Sequence, residues 1–310
     1  MSKIPLFVIN PAAGGGKASF RWKKLRKELD AGNVKFKHKF TSRAGEAQSV
    51  ALTAVREGFK TIVAFGGDGT LNEVLNGIIG SSGQANDVAL GFLGAGSSND
   101  FAKIFKKEEG GFIERLIVGK HFSADVAKLE CVDANGVSHS RYFLAHSNTG
   151  IISNAIKCFN EPTLTNTFAK RVNIDFAVVT SGLRAIRKGA HVHCDLILDG
   201  ERFDKLELSN LAIMKNPNFG GGMFYNFESR HDDGLFHVVA VGQMTKFEML
   251  KTITRFYDGT IMQHPKVWYR TARTVEVISD LRYVIETDGE LVGCVPARYT
   301  LLPKAINILV

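Results

Sequence analysis

Short apolar runs and stretches with a three-to-four-residue apolar repeat take turns along the first 125 residues or so. Residues 4–9, 34–40, 61–65 and 88–93 read as strands, and 20–29, 46–57 and 71–79 as helices. The best-marked pair lies at 61–79. Ile62, Val63, Ala64 and Phe65 form a buried-strand run, and Leu71, Val74, Leu75, Ile78 and Ile79 follow one helix face. Strands alternating with helices predict a doubly wound α/β domain, a parallel sheet covered on both faces.

From about residue 126 the texture shifts to short β-rich runs at 126–132, 141–145, 192–198, 206–214, 236–241, 274–278 and 283–286. These predict a C-terminal antiparallel β-sandwich domain, so the chain is divided at 1–125 and 126–300. One helical insert interrupts it at 173–188. There Ile174, Ala177, Val178, Ser181 and Ala185 share a face, and Arg184, Arg187 and Lys188 gather near the C-terminal end. A helix packed on the β-domain is the expectation, ahead of one lying on a membrane. No internal repeat or low-complexity segment stands out.

The polar positions between these runs carry the chemistry. In parallel sheets ligands gather at the carboxyl ends of the strands, and four suspicious turns fall there. Asn10-Pro11-Ala12-Ala13-Gly14-Gly15-Gly16 follows the first strand, and Thr41-Ser42-Arg43-Ala44-Gly45 the second. Gly66-Gly67-Asp68-Gly69-Thr70 follows the third, and Gly94-Ala95-Gly96-Ser97-Ser98-Asn99-Asp100 the fourth. Glycines let a backbone approach an anion, and helix N-terminal amides favour phosphate. Asp68 fits such a place if it meets a divalent cation or a hydroxyl that must lose its proton. A tight turn whose aspartate caps the helix explains the same five residues, and on them alone both readings stand.

Composition narrows the classes. The 310 residues are 45% apolar and 23% charged, which excludes disorder. No apolar stretch reaches the ~20 residues of a membrane helix, and MSKIPLFVINP reads as a strand rather than a signal peptide. A cytoplasmic protein is expected. Cys131, Cys158, Cys194 and Cys294 lie far apart, so neither zinc nor a disulfide framework is indicated, and reduced, mostly buried thiols are expected. The formal charge of +8 suits an anionic partner: nucleotide, acidic membrane surface or nucleic acid. Glycine-aromatic RNA-binding patterns are absent, so nucleic acid is not expected. The basic run Arg21, Lys23, Lys24, Arg26 and Lys27 reads as a solvated helix face.

In order, NPAAGGGK at 10–17, GGDGT at 66–70, GAGSSNDFA at 94–102, GGGM with SRHDDGLFHVV at 220–239, and TDGE at 287–290 resemble the diacylglycerol kinase catalytic family of lipid kinases. The family also includes sphingosine and ceramide kinases. The resemblance spans nearly the whole chain, whereas GGDGT alone also occurs in NAD kinases. It implies a nucleotide-binding α/β domain, a β-sandwich for the lipid, an active site in the cleft between them, and residues 301–310 returning to the first domain. Two positions depart from the pattern: Ser97 replaces the usual threonine and keeps its hydroxyl, and Phe227 stands where proline is usual.

The resemblance implies ATP and Mg²⁺ as cofactors and transfer of the γ-phosphate to a membrane-lipid hydroxyl. Diacylglycerol is the first choice, with phosphatidylglycerol or a sphingoid base behind it. Peripheral contact with the inner membrane face follows, and a homodimer is compatible with it. Asn10, Pro11, Ala12, Ala13, Gly14, Thr41, Gly66, Gly67, Asp68, Gly69, Thr70, Leu71, Asn72, Glu73, Ser97 and Asn99 are the nucleotide-site candidates. Glu290 is the candidate base for the lipid hydroxyl, Asp68 a second catalytic carboxylate acting through Mg²⁺–ATP, and Asp288 a neighbouring or Mg²⁺-linked carboxylate. Asp-Gly between β-runs is also a hairpin signal. Some bacterial members hold a structural Mg²⁺ that maps here to Asp233 and the carbonyls of Arg230 and Leu235. His191 and His193 share a strand face but lack a third ligand, so solvent exposure is expected. The alternatives are an NAD kinase-like small-molecule kinase and a non-catalytic nucleotide or nucleic-acid binder.

Overall fold

The computed structural model describes residues 4–81, 85–95, 101–104, 112–161, 174–189 and 191–309. The chain divides into two compact units, Met1–Val126 with Leu302–Val310, and Ala127–Leu301.

The first unit runs β1 (Leu6–Ile9), α1 (Lys17–Ala31), β2 (Lys37–Phe40), α2 (Glu46–Arg56), β3 (Thr61–Gly66), α3 (Asp68–Ile79), β4 (Ala89–Gly94), α4 (Phe112–Val118) and the start of β5 (His121–Val132). Its sheet is parallel, in the order β2-β1-β3-β4, and Asn307 and Ile308 add a further parallel strand beside β4. Side chains alternate across it. Phe7, Ile9, Val63 and Phe65 pack on Trp22, Leu25 and Leu29 of α1. Val8, Ile62 and Ala64, all fully buried, point to the other face, where α2 and α3 lie. Burial on both faces is why these strands read as unbroken apolar runs. The edge strand β2 is exposed throughout and carries Lys37 and Lys39, charges that discourage pairing with another chain.

The second unit adds β6 (Ser138–Phe143), β7 (His146–Gly150), α5 (Ile151–Asn160), α6 (Ile174–Lys188), β8 (Val192–Leu198), β9 (Glu201–Met214), β10 (Asn218–Phe219), β11 (Met223–Phe224), β12 (Phe236–Gly242), α7 (Lys246–Asp258), β13 (Val267–Ala272), β14 (Thr274–Ile278), β15 (Val284–Thr287) and β16 (Glu290–Leu309). One antiparallel sheet has the order β13-β12-β9-β7-β15-β16. The other runs β9-β8-β14-β16, so the long strands β9 and β16 take part in both. Leu211, Ile213 and Val238 from the first meet Leu196, Val275 and Val277 from the second in one core. The protein therefore joins an α/β domain to a β-sandwich-like domain.

The single helical insert expected here needs correction, since the described residues of this unit include α5, α6 and α7. In α6, Ser181 and Ala185 face inward while Val179 and Leu183 are exposed. Its basic end does more than complement a dipole: Arg184 Nη2 and Lys188 Nζ bind Glu161, just past α5, at 2.6 and 3.1 Å. Asn173 lies outside the described residues. His191 and His193 are exposed, and all four cysteines are free, three of them buried.

Candidate active site

The order of the parallel sheet reverses between β1 and β3, the place where open α/β sheets form a ligand crevice. Both glycine-rich turns flank it, and they interlock. Asn10 N–H donates to Phe65 O (2.9 Å), Asn10 Nδ2 donates to Thr70 Oγ1 (3.2 Å), and Ala95 N–H donates to Gly66 O (2.6 Å). The Asn10 side chain also accepts from Ala12 N–H at 3.1 Å, which curls the turn over Pro11, and Pro11 O accepts from Ser19 Oγ at 3.2 Å. Two glycines are required by space. A Cβ on Gly14, whose φ is +61°, would sit 2.3 Å from Ala95 O, and one on Gly66 would sit 2.4 Å from Thr70 Oγ1.

Helix α3 begins at Asp68 itself, with Gly67 as N-cap in extended backbone and no side-chain cap. Asp68 therefore lies inside the first turn rather than at the cap position. Its Oδ1 accepts Phe101 N–H at 3.4 Å, which ties the turn to the segment after β4. The first-turn amides at Asp68, Gly69 and Thr70 have no acceptor within an α-helix, and this is where an anion is favoured. Helix α1 likewise starts at a glycine, Gly16, without a side-chain cap. The turns thus suit the phosphates of a nucleotide.

The remaining candidates of this unit divide between crevice and scaffold. Thr41 is buried and donates its hydroxyl to Ile9 O at 3.3 Å, bracing the end of β1. Leu71 and Asn72 are buried, and Asn72 accepts from Asn76 Nδ2 through both its carbonyl and its side-chain oxygen. Glu73 accepts Gly45 N–H (2.8 Å) and Ala47 N–H (3.0 Å), so it caps α2 rather than complementing its own helix. Ala13 packs against the α1 cluster. Ser97 and Asn99 lie outside the described residues. Beside the second turn, Lys37, Lys39 and Arg43 line a groove of about 750 Å³.

In the second unit TDGE forms a two-residue hairpin: Thr287 pairs with Glu290, and Asp288 and Gly289 have φ of 47° and 88°. Asp288 is buried, and its carboxylate accepts the N–H groups of Leu144 (3.2 Å), Ala145 (3.0 Å) and His146 (3.1 Å). That is an anchor for the β6–β7 turn. Glu290 is exposed on the far side of the same hairpin. Its position is fixed from beneath by Glu286, fully buried, whose Oε2 accepts Gly289 N–H at 3.0 Å. Oε1 of Glu286 meets His146 Nδ1 (3.2 Å) and Asn148 Nδ2, and Asn148 Oδ1 accepts from Asn210 Nδ2 at 3.0 Å. Sequence reasoning missed this network. HSNTG at 146–150 is a wholly buried strand made of polar residues, and no apolar period marks it.

At Arg230, Asp233 and Leu235, where a divalent cation is expected, the structure places a lysine. The three oxygens do converge, but on the ammonium of Lys215: Nζ lies 2.6 Å from Asp233 Oδ1, 3.0 Å from Leu235 O and 3.4 Å from Arg230 O. Mg²⁺ bound to those oxygens at its usual ~2.1 Å would overlap this nitrogen. Asp233 also accepts Arg230 N–H and Leu235 N–H, both at 3.0 Å. Burial alone would raise its carboxyl, but His237, Lys215 and the two N–H groups outweigh that and hold it well below the usual carboxylate range. Phe227, in the place of the usual proline, stacks on the His237 ring at 4.3 Å. A lysine that follows an apolar strand carries no sequence mark of such burial.

Comparison with known proteins agrees with this architecture. Residues 5–129 match the model of the diacylglycerol kinase catalytic domain, and 160–310 match the YegS C-terminal NAD kinase beta sandwich-like domain. A diacylglycerol kinase of Staphylococcus carnosus is 26% identical over 270 residues, covering 86% of this chain and 82% of that protein. One from Staphylococcus aureus (strain MRSA252) is 24% identical over 99% of this chain and 92% of its own. The crystal structure of a diacylglycerol kinase from Bacillus anthracis superposes with a TM-score of 0.69 at 18% identity, covering 99% and 96% of the two chains, a likeness of fold.

Proposed function

We propose that this chain, which belongs to the diacylglycerol kinase catalytic-domain family, is an ATP- and Mg²⁺-dependent lipid kinase. It transfers the γ-phosphate to a membrane-lipid hydroxyl, with diacylglycerol converted to phosphatidic acid as the leading reaction. The observation that carries the reading is the pair of interlocked glycine turns at the β1–β3 crevice with Asp68 in the first turn of α3.

Phosphoryl transfer needs phosphates held in line, their charge neutralised and the acceptor's proton removed. The backbone amides of 67–70 would hold the phosphates, and the 10–14 turn, whose Asn10, Ala12 and Ala13 amides are engaged within the fold, would shape the wall beside them through Gly14. Mg²⁺ binds mainly phosphate oxygens, waters and one or two carboxylates, and Asp68 is a carboxylate within the 67–70 turn. Glu290 takes the proton of the lipid hydroxyl as the new O–P bond forms and the bond to the β-phosphate oxygen breaks. Its exposure on a rigid hairpin leaves it accessible to an acceptor. The charge of +8 and the exposed Phe247 and Leu250 on α7, flanked by Lys246 and Lys251, suit a visit to an anionic bilayer from the cytoplasm. No helix among the described residues is long and apolar enough to cross a membrane.

The NAD kinase likeness of the C-terminal domain model makes a soluble acceptor the second reading. Radiolabelled ATP offered with a lipid panel and with NAD separates the two. Label in phosphatidic acid is expected; label in NAD but in no lipid overturns the proposal. Glu290→Gln should abolish lipid phosphorylation while ATP still binds, and normal turnover by that variant would remove Glu290 from the base role.

A further inference from the structure

We infer that Lys215 is a built-in cation, replacing the exchangeable divalent ion at the Asp232-Asp233-Gly234 turn, so that this domain holds the turn without metal. The side chain is buried, at 4% exposure, and a buried ammonium persists only among acceptors. It carries three N–H donors, and three oxygens from one turn face it: a carboxylate and the two carbonyls that flank it, Arg230 O and Leu235 O. A hard divalent cation would seek that set, completing its shell with water. Lysine meets the same oxygens with fewer ligands and no exchange.

The placement also links two turns of the domain. Lys215 follows β9, and its N–H donates to Ala145 O at 2.8 Å. Ala145 N–H in turn donates to Asp288 at 3.0 Å, in the hairpin that bears Glu290. One residue therefore joins the Asp233 turn, through its side chain, to the segment clamped by Asp288, through its backbone. The inference concerns stability and does not depend on the reaction proposed above.

The test is thermal unfolding of the full chain without nucleotide, with metal content measured by plasma mass spectrometry. Wild type should hold no stoichiometric divalent cation and should melt at the same temperature in EDTA and in millimolar Mg²⁺. Bound metal lost to EDTA with a fall in Tm overturns the inference, and this arm needs no variant. Lys215→Met should lower Tm on the order of 10 °C, because it removes the buried ammonium facing a half-buried carboxylate and two carbonyls. Lys215→Ala, which opens the space, should lose a similar amount and recover part of it with millimolar Mg²⁺ or Ca²⁺. That recovery should vanish when Asp233→Asn is added. An unchanged Tm in both variants, or recovery that ignores Asp233, refutes it.

Discussion

Replacing Asp288 separates a structural carboxylate from a chemical one. In Asp288→Ala the N–H groups of Leu144, Ala145 and His146 lose their acceptor, and these residues are 4%, 4% and 5% exposed. A buried donor left without a partner costs about 1–3 kcal/mol, and water entering the vacated space recovers part of that. The positive φ of 47° adds strain for alanine that aspartate and asparagine tolerate better. Together these give a loss of about 4 kcal/mol, or roughly 8–16 °C in Tm for a domain of this size. Asp288→Asn should cost about half as much. Its remaining oxygen can serve Ala145 and His146, while its amide nitrogen opposes Leu144 N–H. The assay is urea and thermal unfolding followed by fluorescence in a Trp22→Phe background, so that Trp268 reports the β-domain, where it packs on the core. Wild-type midpoints in both variants, with phosphotransfer alone lost, would refute the anchoring argument and return Asp288 to the chemistry.

Gly14→Ala and Gly66→Ala should each destabilise the first unit by about 1–3 kcal/mol and weaken binding of a fluorescent ATP analogue, because the new methyl meets Ala95 O or Thr70 Oγ1. Native affinity in both would show that the turns do not shape the nucleotide site. Glu73→Gln should cost about 1 kcal/mol in chemical unfolding through the lost cap on α2, and a midpoint unchanged from wild type would contradict that role. Glu248 gives a pH signature. The Lys266 ammonium, with Thr245 N–H and hydroxyl, lowers its carboxyl from 4.5 to about 2. A lowered folded pKa means stabilisation that is present above the unfolded value and lost as pH falls towards 2. The Tm gap between wild type and Glu248→Gln should therefore shrink between about pH 4.5 and 2, and a gap that widens on acidification would reverse the assignment.

The doubly wound half was legible because its strands are buried on both faces. Residues 62–65 and 71–79 each have a single period, and the turn between them has no room for other residue types at Gly66. The β-half was legible as a class but not element by element. Helix α7 carried a readable start, since Thr245 and Glu248 cap each other reciprocally, yet it sits between β-runs whose texture outweighed it. Strand β7 had no signal: HSNTG is polar, and its burial is balanced by Glu286, far along the chain. The metal expectation shows the same limit. The oxygens of Asp233, Arg230 and Leu235 do converge, but on a partner from the end of β9, and no local pattern connects the two.

The two hairpin carboxylates stand in different surroundings, and the proposed chemistry falls on one of them only. Asp288 and Glu290 are two residues apart in a two-residue turn, so their side chains leave the chain in different settings: one is buried among three N–H donors, the other is exposed. Asp288 already accepts three backbone donors, so Mg²⁺ would have to displace hydrogen bonds that hold β7 to β15. Glu290 is exposed on the other side of the turn, while Glu286 beneath it fixes the backbone through Gly289 N–H. A general base needs a fixed origin and an accessible carboxylate. For the base proposed at Glu290, the buried polar strand would supply the first and its exposure on the turn the second. In the TDGE string the buried Asp288 and the exposed Glu290 thus differ by position, and the buried Glu286 just before it holds the same turn through Gly289 N–H.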